Sequence, residues 1–406
     1  MPHARRYALS TMRSFFRVWM RTGFFLLWAV LLICCGEKKD PSAWTGPVRF
    51  AVVAPTTGFL EKEGQMLQLG ALMAVREAQG RVDGLRVEIV AHDSPCDANE
   101  ARSIARRLVA DSSVCAVIGY LCGESILAVL PIYQEANLAL INPTVSAEYI
   151  RQEENHHLFP LLYGDGEQAA FLAAYTKRGL GLTKVAVLSD ESVYGNLLRD
   201  SFIAEARSQG LELVATVSIN RTAAEAARAV ALLKDANPEA IFLAVNPDAA
   251  RLFLLERQRQ SFGAKVLGPD RLADFDFYEM AGKVAEGLLV CQPILLNKNS
   301  GQEGEFVRRF ELINHLLPDW IAAGGYDAMR LAMEVLQRSG PERIAFLRTL
   351  RKISGPDSAF RSLGGPVFFR KGGTSRRQFY VAILQQGRLQ TATPPTVEFQ
   401  GSSSRQ

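Results

Sequence analysis

The sequence predicts an α/β protein built as two doubly wound, parallel-sheet lobes. Three observations carry the prediction. Short apolar runs rich in Val, Ile and Ala alternate with helix-period stretches from residue 48 to residue 267, the pattern of parallel strands covered by helices on both faces. The alternation comes in two sets, separated by a polar gap at 148–157. The chain beyond residue 267 holds too few strands for a third sheet, so it completes the first two and crosses between them more than once.

The first set opens with a buried strand at 48–54, the loop Pro55-Thr56-Thr57-Gly58-Phe59 and a helix over about 64–79. A strand at 87–90 leads into His92-Asp93-Ser94-Pro95-Cys96-Asp97 and a helix over 98–110. A strand at 114–118 leads into Gly119-Tyr120-Leu121-Cys122-Gly123-Glu124-Ser125 and a helix over 125–136. A third strand, 139–141, ends in Asn142-Pro143-Thr144-Val145-Ser146. If these strands are neighbours in a parallel sheet, all three turns lie at its carboxyl edge, where open α/β sheets bind ligands; the plainer alternative is ordinary strand-to-helix turns.

The second set begins with an extended stretch at 158–163 and a helix over 166–178. Strand–helix pairs follow at 184–189 and 194–209, 212–217 and 223–235, and 240–245 and 248–260. A short strand at 265–267 ends in Gly268-Pro269-Asp270. Beyond it lie a strand at 288–292, helices over 303–316, 321–339 and 342–353, and extended segments at 365–370 and 378–384.

At 406 residues, with 48% hydrophobic and 22% charged residues, the chain has the composition of a globular protein and the length of two or three domains at ~150 residues each. The net charge of +4 comes partly from Arg5, Arg6, Arg13, Arg17 and Arg21. No basic stripe with interleaved aromatics is present, which argues against nucleic acid as a partner. No Gly-x-Gly-x-x-Gly follows a strand and no Walker loop exists, so no nucleotide cofactor is expected. His156 and His157 are adjacent rather than at ligand spacing, so no metal is expected. With no Gly-x-Ser-x-Gly elbow or Cys–His pair, no catalytic residue is assigned, and loop carboxylates such as Asp93, Glu124, Asp190 and Asp270 read as solvated or ligand-contacting groups.

The N-terminus reads as an export signal over 1–35: arginines precede an unbroken apolar run at 24–34, and Gly36-Glu37-Lys38-Lys39-Asp40 follows Cys35. That run is shorter than the ~20 residues of a membrane-spanning helix. Leu32-Ile33-Cys34-Cys35 resembles a bacterial lipobox, with Cys35 as the lipidated residue; an uncleaved anchor or a plain cleaved signal is the alternative. Met12 and Met20 are alternative starts, and 36–47 reads as a tether. Export changes the reading of the six cysteines, because disulfides persist outside the cytosol. Cys34 and Cys35 belong to the signal, and Cys115 and Cys291 lie inside apolar strands as buried thiols. Cys96 and Cys122, both in loops, remain as the natural pair.

The Cys96-Asp97 turn, Gly119-Tyr120-Leu121-Cys122, Asn142-Pro143-Thr144-Val145-Ser146, Tyr194-Gly195 and Gly268-Pro269-Asp270 together resemble type I periplasmic solute-binding proteins, the branched-chain amino-acid (Leu/Ile/Val-binding) group of ABC transporters. Gly287-Leu288-Leu289-Val290 and Gly325-Tyr326-Asp327-Ala328 fit the same pattern as structural segments. The resemblance implies two lobes joined by a three-crossover hinge that closes on a small ligand. Lobe one would comprise 48–160 and 293–362, lobe two 161–292 and 363–390, with 391–406 a polar tail. It places ligand-binding groups at Gly123 and Ser125 (carboxylate), Thr144 and Ser146 (ammonium and carboxylate), Tyr194, and Asp270 (ammonium). Gly123 stands where a serine is usual, Asp270 is shorter than the usual Glu, and Glu124 adds negative charge. Glu63 sits near the position of a pocket aromatic. A neutral amide or a cationic amine is therefore an alternative to an amino acid. The implied protein is a monomeric, periplasmic, lipid-anchored carrier for an ABC permease, neither an enzyme nor dependent on a cofactor. The alternative use of the same fold is a ligand sensor or regulatory envelope lipoprotein.

Overall fold

The structure is a computed structural model that describes residues 44–146, 148, 156–220, 222–299, 301–370 and 375–399. The export signal, Cys35 and most of the tether lie outside the described residues.

The first sheet has strand order β2-β3-β1-β4-β5-β6, with β1 Val48–Ala54, β2 Arg81–Val82, β3 Leu85–Asp93, β4 Val114–Gly119, β5 Ala139–Asn142 and β6 Leu158–Pro160. All its pairings are parallel except the β2–β3 hairpin. Its interleaved helices are α1 Glu61–Glu77, α2 Ala98–Ala110 and α3 Gly123–Glu135. The second sheet runs β16-β15-β11-β10-β9-β7-β8, from β7 Lys184–Ser189, β8 Glu212–Ser218, β9 Ala240–Ala244, β10 Lys265–Gly268, β11 Leu289–Gln292, β15 Tyr380–Gln385 and β16 Arg388–Thr391. Its antiparallel pairings are β11–β15 and β15–β16, so β15 alone runs against the other strands. Its helices are α4 Asp165–Arg178, α5 Val193–Ser208, α6 Ala223–Ala236, α7 Pro247–Arg259 and the short α8 Phe275–Ala281. The chain then forms α9 Gly301–Asn314, α10 Trp320–Ser339 and α11 Arg343–Arg351.

The strands β4, β5 and β9, apolar apart from Asn142 at the end of β5, are buried along their whole length, as expected for parallel strands covered on both faces. Helix α10 returns from the second sheet to pack on α1. The contact is close because two glycines allow it: a Cβ on Gly70 would lie 1.9 Å from the Ala322 carbonyl oxygen, and one on Gly325 2.2 Å from that of Leu67. The late segments divide differently from the prediction. Residues 378–384 join the second sheet as β15, whereas 365–370 build a separate small antiparallel sheet, β12 Phe360–Ser362, β13 Gly365–Phe369 and β14 Ser375–Arg376. The stretch read as a polar tail is docked, at least as far as residue 399. Phe399 packs edge-on against Phe171 and Phe379, and the Tyr175 hydroxyl donates to the Pro394 carbonyl at 2.8 Å.

Three passages of chain connect the sheets, and one buried side chain gathers them. Arg377 donates through Nε to the Pro293 carbonyl on the second passage and through Nη1 to the Leu161 carbonyl on the first, each at 3.1 Å. Its Nη2 lies 4.0 Å from the Asp327 carboxylate on α10. Both oxygens of Asp327 accept from the Leu363 backbone N–H, at 3.0 Å, on the third passage.

Candidate ligand-binding cleft

In the first sheet, the carboxyl edge is assembled by the three turns that the sequence singled out. Cys96 and Cys122 form a disulfide that joins the turn after β3 to the start of α3, with their Cα atoms 5.5 Å apart. Asp93, ending β3, accepts from the Thr56 N–H at 2.7 Å and the Thr57 hydroxyl at 2.6 Å. Partial burial would raise its pKa, but these hydrogen bonds outweigh it and hold the carboxyl below its ordinary value. Asn142 locks the remaining two turns together. Its amide donates to the Gly119 and Tyr120 carbonyls at 2.8 and 2.7 Å, and its Oδ1 accepts from the Thr144 and Val145 N–H groups. Gly119 is required there: its φ is +133° and a Cβ would lie 1.9 Å from the Val53 carbonyl oxygen.

The start of α3 is open chemically. Cys122 caps it without a side-chain hydrogen bond, so the first N–H groups of the helix point outward with the positive end of its dipole. Gly123 supplies backbone donor capacity. Ser125 is 1% exposed, and its hydroxyl has no hydrogen-bond partner among the described residues. The other two expected groups on this edge are already engaged. The Thr144 hydroxyl donates to the Tyr120 carbonyl at 3.2 Å. The Ser146 hydroxyl accepts from the Asp165 N–H at 3.1 Å and the Glu148 N–H at 3.3 Å, so it serves the first turn of α4.

From the second sheet come Tyr194 and Asp270. Tyr194 is the second residue of α5, whose Ser192 cap accepts from the Gly195 N–H at 2.9 Å. Gly195 lets the helix approach closely, since a Cβ would meet Asp190 Oδ1 at 2.2 Å. Asp190, read from the sequence as a solvated or ligand-contacting carboxylate, instead accepts the Ser192 hydroxyl and the backbone and side-chain N–H groups of Asn246, which makes it a structural carboxylate. The Tyr194 hydroxyl is buried with no hydrogen-bond partner among the described residues. Asp270 follows β10 directly and is 4% exposed. Its Oδ1 accepts from Gln168 Nε2 at 3.2 Å and from the Arg271 N–H at 2.9 Å, while its own N–H donates to Gln168 Oε1 at 3.0 Å.

Three residues that sequence reasoning missed complete this half. Gln168 on α4 also donates to Asp165 Oδ1 at 3.0 Å, bridging two carboxyls. Burial, then the neighbouring Asp270, push Asp165 up to about 7; burial raises Asp270 as well. The Arg271 guanidinium lies 4.3 Å from the centre of the Tyr194 ring. The signal for Gln168 was available: it is a lone uncharged polar residue in an α4 stretch otherwise rich in Ala, Phe and Leu. Arg271 had no such signal. Besides the Ser146 contact with α4, Trp320 Nε1 of α10 donates to Asp274 Oδ1 at 3.0 Å, and Lys62 of α1 pairs with Glu279 of α8 at 3.7 Å, across this edge. Among the described residues no cluster of His, Cys, Asp or Glu is arranged to hold a metal ion.

Two mainly parallel sheets joined by three passages, with unpaired hydroxyls, helix N-termini and carboxyls at their carboxyl edges, define a two-lobed, hinged protein. The comparisons carry this to the family. The family model for periplasmic binding proteins matches residues 47–388. The chain belongs to that family, in the type I group of branched-chain amino-acid ABC transporters. It is 22% identical over 303 residues to the leucine-, isoleucine-, valine-, threonine- and alanine-binding protein of Pseudomonas aeruginosa, covering 73% of this chain and 81% of that one. It is 26% identical over 270 residues to the Leu/Ile/Val-binding protein of Escherichia coli K12, covering 65% and 72%. Its fold matches the substrate-binding protein of Desulfitobacterium hafniense in complex with Leu, with TM-score 0.73 and 22% identity, over 85% of this chain and 99% of that one.

Proposed function

We propose that the protein is an extracytoplasmic, lipid-anchored substrate-binding protein that captures a small amino acid or amino acid-like ligand between its lobes and delivers it to an ABC permease. The reading rests most on the α3 N-terminus, where outward N–H groups and the orphan Ser125 hydroxyl form a ready acceptor for a carboxylate. Gly123 and Ser125 would hold the carboxylate, with the Thr144 and Ser146 segment beside them. Tyr194 and Asp270 would meet the amino end from the second lobe. The relatives named for binding Leu, Ile and Val support this class of ligand. No step of the reading needs an enzyme activity. Cys35 would carry the lipid, and loss of the protein from the membrane fraction in Cys35→Ser is the expected result; unchanged partitioning would remove the anchor.

The function is tested by titration calorimetry of the twenty amino acids against the wild type and Ser125→Ala. At least one amino acid should bind. Loss of a buried hydrogen bond to a charged group costs about 1.5–3 kcal/mol, so the variant should bind it roughly 10–100-fold more weakly. Equal affinity in the two proteins would take the carboxylate away from α3.

A further inference from the structure

On the second lobe's side of the cleft, Arg271 stands among several carboxyls. Arg271 is acted on by Asp165 from α4, Tyr194 from α5, and Asp270 and Asp274 from its own segment. Glu148 faces Asp165, while Glu63 and Asp319 from the other lobe face Asp274. Arg271 is the cation that acts on Asp165, Asp270 and Tyr194 alike. Desolvation lowers its pKa, but Tyr194 and the surrounding carboxyls outweigh this and raise it. Its side chain nonetheless remains exposed while it lies on the Tyr194 ring. A solvated contact of this kind is weak, and the same contact strengthens when water leaves. The Tyr194 hydroxyl beside it is buried and unpartnered among the described residues, a position that a hydrogen-bonding ligand would satisfy.

Resting on the reading of the cleft given above, we infer that Arg271 is an internal stand-in for a ligand cation, holding the place on Tyr194 that an ammonium or guanidinium takes when the ligand enters. The arginine then swings out, and the ligand cation inherits the carboxyl surroundings in a desolvated cleft. The ligand group at this place is thus cationic: the ammonium of an amino acid or amine, or a guanidinium.

The experiment is calorimetry of L-leucine, L-arginine and agmatine against the wild type, Arg271→Ala and Arg271→Gln at pH 7. Both variants should bind the probes about two- to fivefold more tightly than the wild type, because the solvated Arg271 contact no longer has to be displaced. If Arg271→Ala and Arg271→Gln instead lose affinity for L-leucine or L-arginine, Arg271 is a partner of the ligand's carboxylate; the inference falls while the cleft stands. Unchanged affinity for all three probes overturns it equally. Failure of the wild type and both variants to bind these probes or any of the twenty amino acids overturns the cleft reading itself, and the inference with it.

Discussion

Two aspartate–arginine neighbourhoods, both built around buried carboxyls, behave in opposite ways. At the hinge, Asp327 is fully buried and Arg377 nearly so; their hydrogen bonds go to backbone groups of the three passages, and Asp327 also accepts from Arg330 at 3.3 Å. In the cleft, Asp165 and Asp270 are almost as buried, yet they share one glutamine between them, and Arg271 rests exposed on an aromatic ring. Burial alone does not separate them. A satisfied polar network fixes structure, whereas a buried carboxyl short of partners is held ready for a group that arrives from outside.

The largest effect should come from breaking the satisfied network. Arg377→Met strips two carbonyls of their donor and removes one of the two cations beside Asp327, leaving Arg330 at 3.3 Å. A buried acceptor left unsatisfied costs about 1–3 kcal/mol, so the two carbonyls together should cost roughly 2–6 kcal/mol, and equilibrium urea denaturation reads it. A loss under about 1 kcal/mol would mean that the passages are held by other contacts. The hinge should also lose definition, because Leu161, Pro293 and Leu363 are tied together only through this pair among the hydrogen bonds described for Arg377 and Asp327.

The contrast between the two regions also marks what the sequence could convey. The apolar strand runs, their order in two sets and the turns at the first sheet's carboxyl edge are local patterns, and the chain spells them out. The Cys96–Cys122 pair was legible because burial removed the other candidates. Ser146 illustrates the limit. Its motif resembles a ligand contact, but its hydroxyl is taken by the first turn of α4, nineteen residues further along. Gln168 and Asp270 are 102 residues apart and meet only because α4 packs beside the end of β10. Arg271 is one position beyond a residue already singled out, but nothing local distinguishes a surface arginine from one laid across Tyr194. The partners of β13 in the small sheet, β12 and β14, were missed for a related reason: strands of two or three residues have no periodicity to read.

The central claim is that Asp270 belongs to the ligand and Asp327 to the hinge, and one paired measurement decides it. Affinity for the amino acid found by the screen and the melting temperature of the free protein are measured for Asp270→Asn and Asp327→Asn. Removing a counter-charge from a ligand cation that stays buried costs about 2–5 kcal/mol, at least some thirtyfold in affinity. Asp270→Asn should therefore bind far more weakly while melting no lower than the wild type, because burial already raises the pKa of that carboxyl and a neutral amide relieves it. Asp327→Asn should melt lower, with affinity within a fewfold of wild type. Wild-type affinity in Asp270→Asn, or a large affinity loss confined to Asp327→Asn, would contradict the account.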